Sequence, residues 1–104
     1  MMDDVQRLGG NIDLAGFRDV DGGSMIVVKK IVGTYAKKFS TRLSDFERLE
    51  LRMKPIHSSE DGPGAYELKG KLVYGGRSEH VENTDHNLFY ALDSVLKKLE
   101  KLSL

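Results

Sequence analysis

The chain has 104 residues, 39% hydrophobic and 31% charged, which fits one domain around one core and argues against wholesale disorder. It has no cysteine, so a disulfide framework and any cysteine-based metal site are excluded, and a reducing compartment suits it. The 16 basic and 16 acidic residues cancel overall but not locally: residues 25–54 carry +5, while residues 1–24 and 55–86 carry −3 each. A basic middle points weakly to a polyanionic partner, and its plain alternative is a solvated surface. No apolar run follows a basic start or approaches membrane-spanning length, so the sequence predicts a cytoplasmic protein without a membrane partner.

Residues 1–10 are polar, contain Gly9-Gly10 and lack a period, which predicts a flexible N-terminus ahead of a single domain over 11–104. From Asn11 to Phe17, Ile12 and Leu14 alternate with Asn11 and Asp13, as in a half-buried strand. Asp19 to Ser24 is loop chemistry ending in an N-cap residue, Ser24. Met25 to Phe39 then reads as a helix, with Val28, Ile31, Val32, Tyr35 and Phe39 on one face and Lys29, Lys30, Lys37 and Lys38 on the other. The run Ile26-Val27-Val28 favours a strand locally, but the helical period holds over the whole window. Gly33 is either a close-packing point or simply tolerated there.

Phe46 to Ile56 has period two: Leu49, Leu51 and Met53 against Arg48, Glu50, Arg52 and Lys54. Pro55 predicts a strand end or an edge, and His57 to Gly64 a long loop. Ala65 to Tyr74 alternates again, Gly75-Gly76 is a hairpin turn, and Arg77 to Glu82 is the return strand. In the final stretch Leu88, Leu92, Val95, Leu99 and Leu102 form a helical stripe, capped by Thr84 or Asp85 and ending in Lys97, Lys98 and Lys101. Asp93 lies four residues before Lys97, the spacing of a helical ion pair.

The order β-α-β-β-β-α predicts an α+β domain: a four-stranded mixed sheet with both helices on one face. The other sheet face is then open and carries Arg48, Arg52, Lys54, Lys69 and Lys71 among Glu50 and Glu67.

Enzyme chemistry finds no support. There is no phosphate-binding glycine loop of the usual spacing, no cysteine nucleophile and no evident carboxylate pair, and His57, His80 and His86 match no ligand motif. The sequence therefore predicts a non-catalytic protein without cofactor or metal. Two basic surfaces remain as phosphate contacts: the helix lysines and the open sheet face. A protein-interaction or homodimerisation module using an exposed strand edge or sheet face is the other reading.

The tail carries a family pattern. Asp85, Tyr90-Ala91-Leu92-Asp93 and Lys98-Leu99-Glu100-Lys101 resemble the last helix of the ribosome hibernation-promoting factor and sigma-54 modulation protein family, as a short, diverged form. Ile12-Asp13-Leu14-Ala15-Gly16 looks like that family's opening strand, and Tyr35 with Lys37-Lys38 falls in its first helix. The resemblance spans residues 11–102; the long loop and Gly22-Gly23 before the first helix depart from it. It implies a fold similar to double-stranded-RNA-binding domains and a translation-silencing role on the small ribosomal subunit, without DNA sequence specificity. It also implies that Lys29, Lys30, Lys37, Lys38, Lys97, Lys98 and Lys101 face ribosomal RNA.

Overall fold

The computed structural model describes residues 5–59 and 62–103. The elements are β1 (Val5–Arg7), β2 (Ile12–Ala15), α1 (Gly22–Arg42), β3 (Phe46–Ser59), β4 (Gly62–Tyr74), β5 (Arg77–Asp85) and α2 (Leu88–Ser103). The strands form one five-stranded sheet in chain order. Only β2 and β3, which flank α1, are parallel; the other pairs are antiparallel.

The α+β class and the two helices stand, but the expected four-stranded sheet is corrected to five. The extra strand, β1, lies in the segment expected to be flexible. Val5 pairs with Ala15 and Arg7 with Asp13, so a short polar segment gains order from an edge already built. The Arg7 guanidinium also reaches the Asp13 carboxylate at 3.7 Å. The expected loop over His57–Gly64 is corrected as well: β3 continues through Pro55 to Ser59 and β4 begins at Gly62, while residues 60 and 61 lie outside the described ones. At about 3.3 Å per residue, a strand of this length accounts for the 46 Å long axis of the domain.

Alternation assigns the sheet faces. Leu49, Leu51 and Met53 of β3 and Leu68 and Leu72 of β4 are buried under the helices, with Leu14 beside them on β2. Register places Leu14, Leu51, Gly70 and Val81 in one row across that face. Gly70 leaves a dent in the row, and α2 fills it: a Cβ there would lie 2.5 Å from Val95 Cγ1 and 3.1 Å from Leu99 Cδ1.

α1 begins earlier than its apolar stripe suggests. Asp21, not Ser24, is the N-cap, and its carboxylate accepts the Ser24 N–H at 3.0 Å. That bond holds the Asp21 carboxyl below its ordinary value. Met25, Val28, Val32, Ala36 and Phe39 are buried, whereas Ile26 and Val27 face solvent, so the helical period prevails over the local β-branched preference. Gly33 is not a close-packing point, since nothing lies within 4 Å of a Cβ built there.

α2 is capped neither by Thr84 nor by Asp85. Asn87 Oδ1 accepts the N–H groups of Phe89 and Tyr90 at 2.9 and 3.1 Å, and Asp85 Oδ1 accepts the Asn87 N–H. The cap moved because β5 runs on to Asp85 and uses up the residues before it. Leu88, Ala91, Leu92, Val95, Leu96 and Leu99 are buried, but Leu102, expected in the stripe, is 55% exposed because the helix has passed the edge of the core.

Candidate nucleic-acid interface

The seam between the helices places the lysines. Tyr35 donates to Asp93 Oδ1 at 3.3 Å, while Lys38 and Arg42 reach Glu100 at 3.1 and 3.7 Å. Contacts advance in the same direction on both helices, so α1 and α2 run parallel. Lys38 Nζ also lies 4.9 Å from the centre of the Tyr35 ring. Burial pushes the Tyr35 phenol up to about 12, and the neighbouring Asp93 carboxylate adds to the shift.

At 100° per residue, consistent with 3.6 residues per turn, Lys38 falls on the α2 side of α1. Lys29, Lys30 and Lys37 fall on the opposite, outer flank. On α2, Asp93 and Glu100 face α1, whereas Lys98 and Lys101 lie on the flank above β5. The lysines therefore do not make one continuous patch: two carboxylates stand between the two groups.

The seven candidates divide by what holds them. Lys38 is committed to Glu100, and Lys97 to Asp93 at 2.9 Å, the expected i,i+4 pair. The Lys98 ammonium donates to the Glu82 carbonyl at 2.9 Å and to Asn83 Oδ1 at 3.2 Å. Among the described residues, the ammonium groups of Lys29, Lys30, Lys37 and Lys101 have no ion-pair or hydrogen-bond partner. Sequence spacing reveals the Lys97 pair because it is local. It cannot reveal Glu100 as the partner of Lys38, because that contact joins distant parts of the chain.

The open face of the sheet carries Arg48, Arg52, Lys54, Lys69 and Lys71, as expected, but interleaved with acids. Arg48 Nε meets Glu50 at 2.7 Å, and Lys69 lies 4.0 Å from Glu67. A shallow depression of about 520 Å³ on this face is lined by Asp13, Glu50, Arg52, Lys69, Lys71 and His80, among others. Arg52 and Lys69 stand directly opposite each other across the β3–β4 ladder, as do Asp13 and Glu50 across β2–β3. Among the described residues no Phe or Tyr ring lies on this face, where His80 supplies an imidazole: Tyr66 and Tyr74 pack on the helix side. The described sheet face thus lacks the row of Phe or Tyr rings on which successive bases of a single strand stack.

Tyr74 donates to Glu79 at 2.7 Å, and that bond raises its phenol above the ordinary value. His80 shares a contact with Ser78 Oγ at 3.3 Å, and His86 Nδ1 contacts the Gly64 carbonyl. Among the described residues no three His, Asp or Glu side chains come together as metal ligands, and no helix is long and apolar enough to cross a membrane.

No protein-family model matches the chain, and no curated protein matches it.

Proposed function

We propose that the protein is a non-catalytic RNA-binding protein of the cytoplasm that associates with the small ribosomal subunit and silences translation. The supporting observation is the outer flank of α1, where Lys29, Lys30 and Lys37 are exposed and their ammonium groups are uncommitted among the described residues. Such cations gain from phosphate contact without losing an internal partner, because binding releases counterions from the RNA. Lys101 adds one such group on α2. The family pattern in the tail supplies the choice of ribosomal RNA over other polyanions. Lys38, Lys97 and Lys98 support the layer from within, bracing the helix seam, the surface of α2 and the β5 edge.

The test is co-sedimentation of the purified protein with small ribosomal subunits at low salt. Binding that is lost progressively as salt rises is the expected result. Protein that stays at the top of the gradient at low salt removes the reading.

A further inference from the structure

β5 is the outermost strand of the sheet, nine residues long, and among the described residues no strand covers its free side. The turn before it decides which of its backbone groups point outward. Tyr74 and Arg77 flank the two-residue turn Gly75-Gly76, whose glycines have φ of +53° and +74°. The residues that close such a turn exchange both hydrogen bonds. Alternation along an antiparallel ladder then directs the N–H and C=O of Glu79, Val81 and Asn83 toward β4. Those of Ser78, His80, Glu82 and Thr84 face away. The Lys98 ammonium on the Glu82 carbonyl, at 2.9 Å, lies on that outward side. An edge of this length and polarity is a template for another strand.

We propose that this edge pairs with the same edge of a second copy, antiparallel, about a two-fold axis through Val81. Hydrogen bonds form only where outward groups meet outward groups, so the even-numbered residues of one copy must oppose those of the other. With the axis at Val81 the whole strand overlaps. His80 then faces the second copy's Glu82, Arg77 its Asp85, and Ser78 its Thr84, each contact occurring twice. Arg77 and Asp85 are opposite charges directly across the antiparallel pair, which is stabilising, and the His80 imidazole is placed to hydrogen-bond the Glu82 carboxylate. The neighbouring allowed registers lose this match. An axis at Glu82 sets Glu82 against its own copy and Glu79 against Asp85, whereas an axis at His80 sets His80 against itself. The self-complementary charge pattern is what singles out a second copy as the occupant. Side chains also keep their faces: Val81 stays under the helix layer, where it packs against the core. The two sheets then join into one, with all helices on the same side.

Lys98 opposes this pairing. Its side chain lies over the edge on the Glu82 carbonyl and the Asn83 side chain, in the manner of charged residues that guard sheet edges. It must swing away for strands to pair, because it would otherwise meet its own copy across the axis.

The experiment needs no RNA, so its outcome is separate from that of the ribosome reading. Sedimentation equilibrium of the full chain, up to about 1 mM, is expected to show a reversible monomer–dimer equilibrium. His80→Pro removes an outward N–H and leaves the β4–β5 bonds intact, and is expected to weaken the dimer about tenfold or more. His80→Glu is the second variant. Within one copy it places an acid opposite Lys71, which favours the fold. Across the axis it places an acid opposite Glu82, so the dimer weakens, and adding Glu82→Lys restores it. Lys98→Ala is expected to tighten the dimer. A chain that stays monomeric over the whole range, or a dimer indifferent to His80→Glu, overturns the proposal.

Discussion

Replacing Lys29, Lys30 and Lys37 together with alanine tests the α1 flank as an RNA contact. Each phosphate neutralised by a cation adds about 0.7 to 0.9 to the slope of log affinity against log salt. Four candidate lysines, Lys29, Lys30, Lys37 and Lys101, have uncommitted ammonium groups among the described residues. If these four make the contacts, the parent slope is about −3 to −4; all seven candidates would give about −5 to −6. The triple variant should therefore flatten the slope by about 2 to 3. The assay is binding to small ribosomal subunits, or to a labelled fragment of their RNA, between about 50 and 200 mM salt. Lys38→Ala is the control. It gives up an ion pair with Glu100 at 3.1 Å, worth at most about 1 kcal/mol of stability, and should leave the slope unchanged. A triple variant with the parent slope would refute the assignment of these lysines, as would a Lys38→Ala effect as large as theirs.

Two glycines in the same fold should respond in opposite directions. Gly33→Ala meets open space in a helix and should raise stability by about 0.4 to 1 kcal/mol, seen as a higher melting temperature. Gly70→Ala drives a methyl into Val95 and Leu99 and should cost about 1 to 3 kcal/mol by urea unfolding; a neutral result would mean that α2 does not rest on that dent. Tyr35 predicts an alkaline loss of stability. Its phenol is pushed up to about 12 in the folded chain but returns toward the ordinary tyrosine value of 10.0 when unfolded, so its contribution is complete below the lower value and lost as pH rises through the upper one. Tyr35→Phe should flatten that fall in urea-unfolding curves measured across the same window; an unchanged fall would place its cause elsewhere.

Much of the fold is legible in the sequence, for reasons that are local. Leu49, Leu51 and Met53 alternate with charged residues because one sheet face is buried and the other is not, and a strand's period is two. Leu88, Leu92, Val95 and Leu99 recur at helical spacing because one side of α2 must meet the sheet. Gly75-Gly76 marks its own turn through the positive φ that glycine adopts readily. β1 was not legible. Three residues, Val5–Arg7, two of them polar, are too short to show a period of their own and become a strand only beside β2. The loop expected over His57–Gly64 failed for a related reason: local breakers were overruled by pairing with β4, which continues past Pro55, opposite Tyr66, to His57 and Ser59.

The candidate site divides along the same line. Sequence alone determined which residues are cations and, through the 3.6-residue period, that Lys29, Lys30, Lys37 and Lys38 lie off the apolar face of one helix, although it grouped Lys38 with the outer three and the structure turns it toward α2. It also determined the Asp93–Lys97 pair, because partners four residues apart meet wherever a helix forms. Only the tertiary structure decided which lysines keep their charge available to a partner. Packing α1 parallel to α2 brings Glu100 to Lys38 and Asp93 to Tyr35, and folding β5 beneath α2 brings the Glu82 carbonyl to Lys98. The reason is physical: periodicity constrains where a side chain points on its own element, but a charge is neutralised by whatever lies within a few ångströms, and that is set by how elements pack.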